Sequence, residues 1–188
     1  AMQNAIPKGE GGMLAVLGSN IEIIEKILDD NKKEINAQIA NDNSDSQIVL
    51  SGKVKDLEIL DKILKENSIK TIKLPVSAPF HCSLMSNATI IMRKELDKLT
   101  FQNSGKKLIS NVTSEPILHF EELKNLLIKQ IENRVRWRES VINMIKNGIT
   151  HFIEIGPGKV LSGLVKRINK DVKIDTINNQ EDIINLKL

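Results

Sequence analysis

The sequence predicts an α/β fold built from two parts, and three observations support that prediction. Segments with strand and helix character follow one another in the order β-α-β-β-α-β over residues 12–74. From residue 75 onward, helical periodicity alternates with short apolar runs typical of strands. Hydrophobic residues make up 40% and charged residues 27% of the 188 residues, a composition typical of a globular protein with a buried core.

The first part opens with a short apolar run after Gly11-Gly12, which predicts a buried strand. Ser19 and Glu22 have the spacing of a capping box, so a helix is expected to begin there and to end near Asn31. Five turn-forming residues at 42–46 predict a hairpin. The four predicted strands cover residues 13–17, 36–41, 47–51 and 69–74, and the second helix covers 53–67. This order is the signature of a ferredoxin-like split β-α-β unit.

The second part alternates between helices and strands. Periodic apolar positions predict helices at about residues 88–99, 120–131, 141–145 and 159–168. Strands are predicted at residues 106–112, 149–155 and 172–177. Such alternation favours a mostly parallel sheet with helices packed against it.

His81 lies in the loop from Leu74 to Met85 that joins the two parts. Pro75 and Pro79 restrict the backbone to extended conformations, and Ser83 is expected to cap the helix that follows. Functional side chains are common on short, rigid loops of this kind, which makes His81 the leading catalytic candidate. Taken alone, the pattern also fits a structural or merely exposed histidine.

The remaining thiol and imidazole side chains indicate no second site. Cys82 follows His81, but neighbours in an extended loop point to opposite sides, so we interpret Cys82 as a buried structural residue and not as a thiol partner of that imidazole. His119 and His151 are predicted to lie on the surface without partners. No Cys or His spacing indicates a metal site.

One glycine-rich turn allows both a structural and a functional interpretation, and two basic clusters have a structural one. Residues 156–159, Gly-Pro-Gly-Lys, lie between a predicted strand and a helix, either as a tight turn or as a site near a phosphate or carrier. The dinucleotide and Walker patterns fail because Leu161 and Ile153 stand where glycine is required. The basic side chains expected to be solvated by default are those of Arg134, Arg136, Arg138, Lys166, Arg167 and Lys170.

Composition argues against several classes of function. Four Phe, one Trp and no Tyr leave few side chains for stacking on nucleic-acid bases, and the net charge of +3 does not define a polyanion binder. No run has the length of a membrane span, and a single cysteine fits a reducing compartment, so we predict a cytoplasmic protein that binds neither nucleic acid nor membrane. No Gly-x-Ser-x-Gly nucleophile elbow occurs in these residues. A base at His81 would therefore act on a nucleophile outside them.

Six runs carry a resemblance that extends over nearly the whole chain. They are MQNAIP (2–7), QIVLSG (47–52), LPVSAPFHCSLM (74–85), SNV (110–112), RVRWRESV (134–141) and EIGPGKVLSGL (154–164). In content and order they resemble the malonyl-CoA:acyl carrier protein transacylases of type II fatty acid synthesis. The resemblance implies a hydrolase-like three-layer large subdomain, incomplete in these residues, that carries an inserted ferredoxin-like small subdomain. It implies three regions: the end of an upstream segment and linker (1–11), the small subdomain (12–74), and the C-terminal part of the large one (75–188).

The resemblance also implies a ping-pong acyl transfer. A serine would attack the malonyl thioester of coenzyme A, and the malonyl group would then pass to the phosphopantetheine thiol of an acidic acyl carrier protein. His81 would be the general acid/base, and the carbonyl of Gln130 would orient it. No cofactor is needed beyond these substrates, and a monomer is expected.

Further residues take roles through the same resemblance. The substrate-binding residues implied are Asn41, Asn43, Phe80 and Asn111, and the residues implied in carrier docking are Lys166 and Arg167. The serine, its oxyanion-hole donors and an arginine that holds the malonyl carboxylate are expected upstream of Ala1. Two alternatives remain: a non-catalytic half-protein that binds the carrier, and a nucleotide-binding domain built on residues 156–159.

Overall fold

A four-stranded antiparallel sheet with two helices on one face forms the first part of the fold. The computed structural model describes residues 1–103 and 105–186. The elements of this part are β1 (Gly11–Leu17), α1 (Ile21–Asp30), β2 (Ala37–Ser44), β3 (Gln47–Lys53), α2 (Val54–Glu66) and β4 (Lys70–Lys73). Their order in the sheet is β2-β3-β1-β4, and each neighbouring pair is antiparallel. The predicted β-α-β-β-α-β order is therefore confirmed.

The apolar core of this part lies between the sheet and its two helices. Leu14 and Val16 of β1 pair with Leu50 and Ile48 of β3, and all four are at most 5% exposed. The helix residues that complete the core are Ile21, Ile24, Leu57, Leu60 and Leu64. Burying one such side chain contributes about 1.5–3 kcal/mol, and a one-residue slip of register would expose the strand members. The core therefore fixes which face of the sheet the helices cover.

The start of α1 differs from the predicted capping box. Asn20 is the N-cap, and its Oδ1 accepts the N–H of Ile23 at 3.1 Å. Ser19, the residue before this N-cap, is buried. Both residue types cap helices well, so the local pattern could not choose between them.

The hairpin turn is shorter than predicted because β2 stays paired with β3 as far as Ser44, opposite Gln47. The strand continues to Ser44 and leaves only Asp45 and Ser46 for the turn. The N–H of Asp42 donates to the carbonyl of Val135 at 2.9 Å, and the N–H of Val135 donates to the carbonyl of Ala40 at 2.8 Å. These bonds keep Asp42 in an extended conformation and cover the strand edge with a segment of the second part.

The second part contains five helices of six residues or more and two strands within the described residues. They are α3 (Ser86–Leu96), α4 (Leu123–Gln130), α5 (Trp137–Lys146), β5 (His151–Ile155), α6 (Val160–Ile168), β6 (Lys173–Ile177) and α7 (Gln180–Asn185). β5 and β6 are parallel and are joined through α6. Val141 of α5 and Val165 of α6 pack with Val172 beneath them in one buried cluster. The expected parallel pairing is present in these two strands.

Two features of the second part were not predicted correctly. The strand expected at residues 106–112 is absent, and the segment makes only an isolated bridge between Ile109 and Pro116. The N–H of Ser114 donates to the carbonyl of Ser110 at 2.8 Å, so the backbone folds back into a turn instead of forming a longer ladder. The sequence reading also missed α7, whose six residues are too few to show helical periodicity.

Some apolar side chains of the second part remain uncovered. Ile155 at the end of β5 is 78% exposed, Val160 at the start of α6 is 73% exposed, and Ile184 of α7 is 76% exposed. Isolated apolar residues are common on protein surfaces, but these three are large and almost fully open to solvent. Among the described residues, no helix has the length and apolarity needed to cross a membrane.

Candidate active site

His81 lies on a tightly held loop between β4 and α3. Its backbone has a φ of +59°, a left-handed conformation that residues other than glycine adopt infrequently. Pro79 and Cys82 on either side are buried. Ser83 is not the N-cap of α3 as predicted, because it opens a short 3₁₀ helix, Ser83–Met85, that leads into α3. The predicted cap at Ser83 is therefore wrong, and the loop reaches α3 through the short 3₁₀ helix.

The side chain of His81 is oriented by a backbone carbonyl. Its Nδ1 lies 2.9 Å from the carbonyl oxygen of Gln130, the last residue of α4. Carbonyls at a helix C-terminus have no partner within the helix, so this oxygen is available to accept a hydrogen bond. Because a carbonyl only accepts, Nδ1 carries the hydrogen, and the neutral ring then presents Nε2 as an acceptor. This is the tautomer that a general base requires.

Cys82 has a structural environment, which agrees with its predicted burial. It is 1% exposed, its Sγ donates to the carbonyl of Pro79 at 3.1 Å, and the hydroxyl of Ser51 donates to Sγ at 3.6 Å. Burial raises the pKa of the Cys82 thiol. A thiol with a raised pKa holds little thiolate near neutral pH and is a weak nucleophile, so it is a poor partner for His81.

His81 lines an open cleft between the first part and the segment after α4. Gln38 of β2, Asn133 and Arg134 contribute polar side chains to it. Both basic residues that line the cleft are paired, since Arg134 contacts Glu25 at 2.9 Å and Lys32 contacts Asp29 at 2.8 Å. The cleft is therefore polar without an unpaired cation from either of these residues.

Asn41 and Asn43 lie in the irregular part of β2, and both are half-buried. The pairing of β2 with β3 shifts register between Ile39 and Asn41 and again between Asp42 and Ser44. Within the described residues, no side-chain hydrogen bond joins either asparagine to the histidine loop. That loop contacts β2 through Gln38 instead.

Phe80 and Asn111 occupy different kinds of position. Phe80 is half-buried and packs in two apolar clusters, one with Met85 and Ile131 and one with Met13. It therefore joins the two parts of the fold next to His81. Asn111 is exposed on a turn, and its carbonyl accepts the N–H of Arg136 at 3.0 Å.

The arginines near Trp137 are not free solvated charges, which corrects that prediction. The side chain of Arg138 is 18% exposed and pairs with Asp42, whose side chain is 1% exposed, at 2.9 Å. Arg134 and Arg136 both contact Glu139, at 3.2 and 3.1 Å. The prediction of solvated charges failed because Asp42 is far from Arg138 in the sequence and because two arginines share Glu139.

Lys166 and Arg167 lie together in the last turn of α6, and both are exposed. The Nζ of Lys166 donates to the carbonyl of Lys170 at 2.6 Å. The guanidinium of Arg167 donates to Oε1 of Gln47 at 2.8 Å, next to the hairpin turn. The basic pair therefore lies where the second part meets the edge of the first.

The Gly-Pro-Gly-Lys turn at 156–159 is held by the protein's own side chains. The carboxylate of Glu154 accepts the N–H groups of Leu161 and Ser162 at 3.1 and 2.7 Å. The N–H of Gly158 donates to Oδ1 of Asn178 at 2.7 Å. A hydrogen bond with the Ser162 side chain, and then the backbone N–H groups of Ser162, Leu161 and Val160, hold the pKa of Glu154 below its ordinary value. Because these amides are occupied, the structural interpretation of the turn is favoured over an anion site.

The prediction that the other two histidines lie on the surface without partners is correct in exposure for one of them and wrong for the other. His119 is exposed, as expected. His151 is half-buried, and its Nε2 lies 2.7 Å from Oδ2 of Asp175 on the neighbouring strand β6. The pairing of β5 with β6 brings these residues together, which a local pattern could not reveal. In the described part of the chain, no group of three or more His, Cys, Asp or Glu side chains is arranged to hold a metal ion.

Comparison with known proteins gives a consistent result. The chain is 41% identical over 184 residues to the malonyl CoA-acyl carrier protein transacylase of Bacillus subtilis (strain 168), an alignment that covers 97% of this chain and 58% of the relative. The chain is homologous to the malonyl CoA-acyl carrier protein transacylases. The transacylase of Staphylococcus aureus (strain MRSA252) is 36% identical over 186 residues, with 97% of this chain and 60% of the relative covered. No protein-family model matches the sequence.

Solved transacylase structures match the fold closely. The malonyl CoA-acyl carrier protein transacylase of Clostridium perfringens has a TM-score of 0.93 at 38% identity, over 98% of this chain and 58% of that one. The acyl-carrier-protein-S-malonyltransferase of Bartonella henselae has a TM-score of 0.93 at 39% identity, over 98% and 59%. A malonyl-transacylase in complex with its type II PKS acyl-carrier protein has a TM-score of 0.91 at 30% identity, over 97% and 60%. The chain thus spans about three fifths of the length of the transacylases it matches.

Proposed function

We propose that this chain supplies the general acid/base of a malonyl transferase, which moves a malonyl group from coenzyme A to the phosphopantetheine thiol of an acyl carrier protein. The hydrogen bond between Nδ1 of His81 and the carbonyl of Gln130 carries this proposal, because it prepares Nε2 for proton transfer. Homology to transacylases over 97% of the chain supports the reaction class.

The reaction proceeds in two half-reactions through an acyl-serine. Nε2 of His81 takes the proton of a serine outside these residues as its oxygen attacks the malonyl thioester carbonyl. The tetrahedral intermediate collapses, the C–S bond breaks, and the proton passes from His81 to the departing coenzyme A sulfur. In the second half, His81 takes the proton of the carrier's thiol, whose sulfur attacks the acyl-serine. The serine oxygen leaves and regains the proton.

The remaining site residues are assigned to substrate contact and docking. Phe80 beside His81 would line the acyl pocket, and Asn41, Asn43 and Asn111 would contact substrate once the cleft is complete. Lys166 and Arg167 would meet the acidic carrier protein, since both basic groups are exposed on one turn of α6. No cofactor takes part besides the malonyl thioester of coenzyme A and the phosphopantetheine thiol of the carrier, and the enzyme would work as a cytoplasmic monomer.

The same proposal extends to the architecture. The order β2-β3-β1-β4 with both helices on one face supports a ferredoxin-like small subdomain at residues 12–74. Residues 75–188 would form the C-terminal part of a hydrolase-like large subdomain, and residues 1–11 would link to its other segment. The exposed side chains of Ile155, Val160 and Ile184 would then pack against the portion of the transacylases that this chain does not match.

The test measures malonyl transfer after substitution of His81 in the protein expressed from its whole gene. If that product lacks the portion of the Bacillus subtilis relative that the chain does not cover, the portion is supplied as a fusion. His81→Ala should lower kcat/KM by about 10³-fold or more, as expected when a triad-type base is removed. His119→Ala, which removes an exposed histidine, is the matched control and should retain activity. Normal transfer by His81→Ala would show that the proposed base is wrong.

A non-catalytic role in carrier binding is the second candidate, favoured by the exposed basic pair at the end of α6. The two functions differ in covalent chemistry. Incubation of the same protein with malonyl-CoA, followed by intact-mass measurement, should show one added malonyl group per chain. Carrier binding without any acyl adduct would instead support the second candidate.

A further inference from the structure

We propose that Gln38 is a positioning residue that holds the His81 loop in its catalytic conformation, an inference that rests on the proposed function of His81. Gln38 belongs to β2 in the first part of the fold, whereas His81 follows β4 and leads into the second part. Its side-chain oxygen accepts the N–H of Ser83 at 2.7 Å. The structure thus gives the loop an anchor that no local sequence pattern around His81 contains.

The conformation of His81 explains why an anchor is needed. A φ of +59° is uncommon for any residue other than glycine, and such a conformation persists only where the surrounding structure fixes it. On the side before His81, the ring of Pro79 fixes its own backbone angle. On the side after it, the chain enters the 3₁₀ helix Ser83–Met85. The loop must therefore be fixed at Cys82 and Ser83.

The start of this short helix has no cap of its own. The first N–H groups of a helix have no partner inside it, and the N-cap residue usually supplies one. Here the N-cap is Cys82, whose side chain makes no capping hydrogen bond. Gln38 supplies the missing acceptor from another strand, so the helix that follows His81 begins at a point set by β2.

A second residue of the sheet holds the neighbouring position of the loop. Gln38 of β2 pairs in register with Ser51 of β3. The hydroxyl of Ser51 donates to Sγ of Cys82 at 3.6 Å, while Gln38 accepts from Ser83. One cross-strand pair therefore binds the two consecutive residues that follow His81.

The position of Gln38 separates this role from general stability. Gln38 is exposed and belongs to none of the four buried apolar clusters. It lines the same open cleft as His81, yet its oxygen is directed to the backbone of Ser83. Loss of the side chain should therefore loosen the loop while the sheet and its core stay folded.

The experiment compares Gln38→Ala with Gln38→Glu, which keeps an acceptor oxygen, in the protein used for the His81 test. Gln38→Ala should lower kcat by about 10-fold or more in both half-reactions, because a small misplacement of a catalytic group is costly and one histidine serves both steps. The KM for malonyl-CoA and for the carrier, and the urea midpoint of unfolding, should stay within about twofold of the wild-type values. Gln38→Glu should recover most of kcat.

The possible results separate this inference from the proposed function. Unchanged kcat in Gln38→Ala, or no recovery in Gln38→Glu, would overturn the positioning role while a dead His81→Ala still supported the base. A change confined to KM would show that Gln38 binds substrate directly. A lowered urea midpoint would show a structural role. Either result would also overturn the positioning role. Full activity of His81→Ala would instead remove the proposed function itself.

Discussion

The Nε–H of Arg138 donates to both carboxylate oxygens of Asp42, at 3.0 and 3.1 Å. This contact joins β2 to α5. The side chain of Asp42 is 1% exposed and that of Arg138 is 18% exposed, so this ion pair is largely removed from water. Arg138 also reaches the exposed Asp45 at 3.3 Å. The two parts of the fold are thus connected through a buried charge pair as well as through apolar packing.

Breaking this pair on one side should destabilise the protein. Asp42→Ala leaves Arg138 with only Asp45, and an uncompensated charge of this kind costs about 3 kcal/mol in the free energy of unfolding. The double variant Asp42→Leu/Arg138→Leu replaces both charges with apolar groups and should be within about 1 kcal/mol of wild type or more stable. Urea denaturation measures both values. A double variant as unstable as Asp42→Ala would contradict this account.

The same pair gives stability an unusual dependence on pH. Burial raises the pKa of Asp42 above 3.8, and the contacts with Arg138 offset only part of that effect. A carboxyl with a raised pKa takes up protons on folding, so its contribution favours the folded state below 3.8 and declines as the pH rises through the folded pKa. The unfolding free energy of wild type minus that of Asp42→Asn should therefore decrease as the pH is raised from 3. A rising difference would contradict this sign.

Glu154 should show the opposite dependence. Its pKa is lowered, chiefly through Ser162, so its contribution is present above the unfolded value near 4.5 and is lost as the pH falls through the folded pKa. Glu154→Ala removes the acceptor at the start of α6 and should cost about 1 kcal/mol at pH 7, and less at pH 3. Glu10→Ala, at an exposed site before β1, is the control and should change stability little at either pH.

The orientation of His81 should survive loss of the Gln130 side chain. The partner of Nδ1 is the backbone carbonyl of Gln130, which every residue type possesses. The side-chain amide of Gln130 only donates to the carbonyl of Asn133, at 3.1 Å. Gln130→Ala should therefore keep kcat within about threefold of wild type in the malonyl transfer assay. A loss comparable with that of His81→Ala would mean that the side chain itself takes part in catalysis.

Charge reversal at the end of α6 should weaken the carrier half-reaction alone. Lys166→Glu/Arg167→Glu would repel an acidic carrier protein and should raise its KM by about 10-fold, while the KM for malonyl-CoA stays unchanged. Arg93→Glu/Lys94→Glu makes the same change in the last turn of α3 and is the matched control. Equal effects of the two double variants would show that only net charge matters.

Elements with strong local signals could be predicted from the sequence, and those defined by distant contacts could not. The periodic apolar residues of α2 and α6 predicted both helices to within one residue of their observed ends. The predicted end of β2 was wrong because the ladder with β3 continues through two register shifts to Ser44, and Val135, far along the chain, also bonds to Asp42. Propensity alone assigned Asp42 to a turn, and tertiary pairing overruled it.

The candidate site shows the same division. His81 could be selected from its loop, but Gln130 is 49 residues away, and only the resemblance to transacylases linked the two. Gln38 and Arg138 were missed as site or interface residues because each depends on a contact across the two parts of the fold. A side chain's partner is a property of the folded chain, and local periodicity carries no information about it.

The partner of the His81 ring is an uncharged backbone carbonyl, which affects how strongly salt can act on the proposed site. A hydrogen bond to the carbonyl of Gln130 involves no second formal charge, and mobile ions screen it little. The proposed attraction between Lys166, Arg167 and an acidic carrier joins exposed charges, which salt screens with a length of about 8 Å under physiological conditions. Added salt should therefore leave the proton-transfer machinery intact while it weakens carrier docking. The proposed catalysis and the proposed carrier recognition should therefore respond differently to added salt.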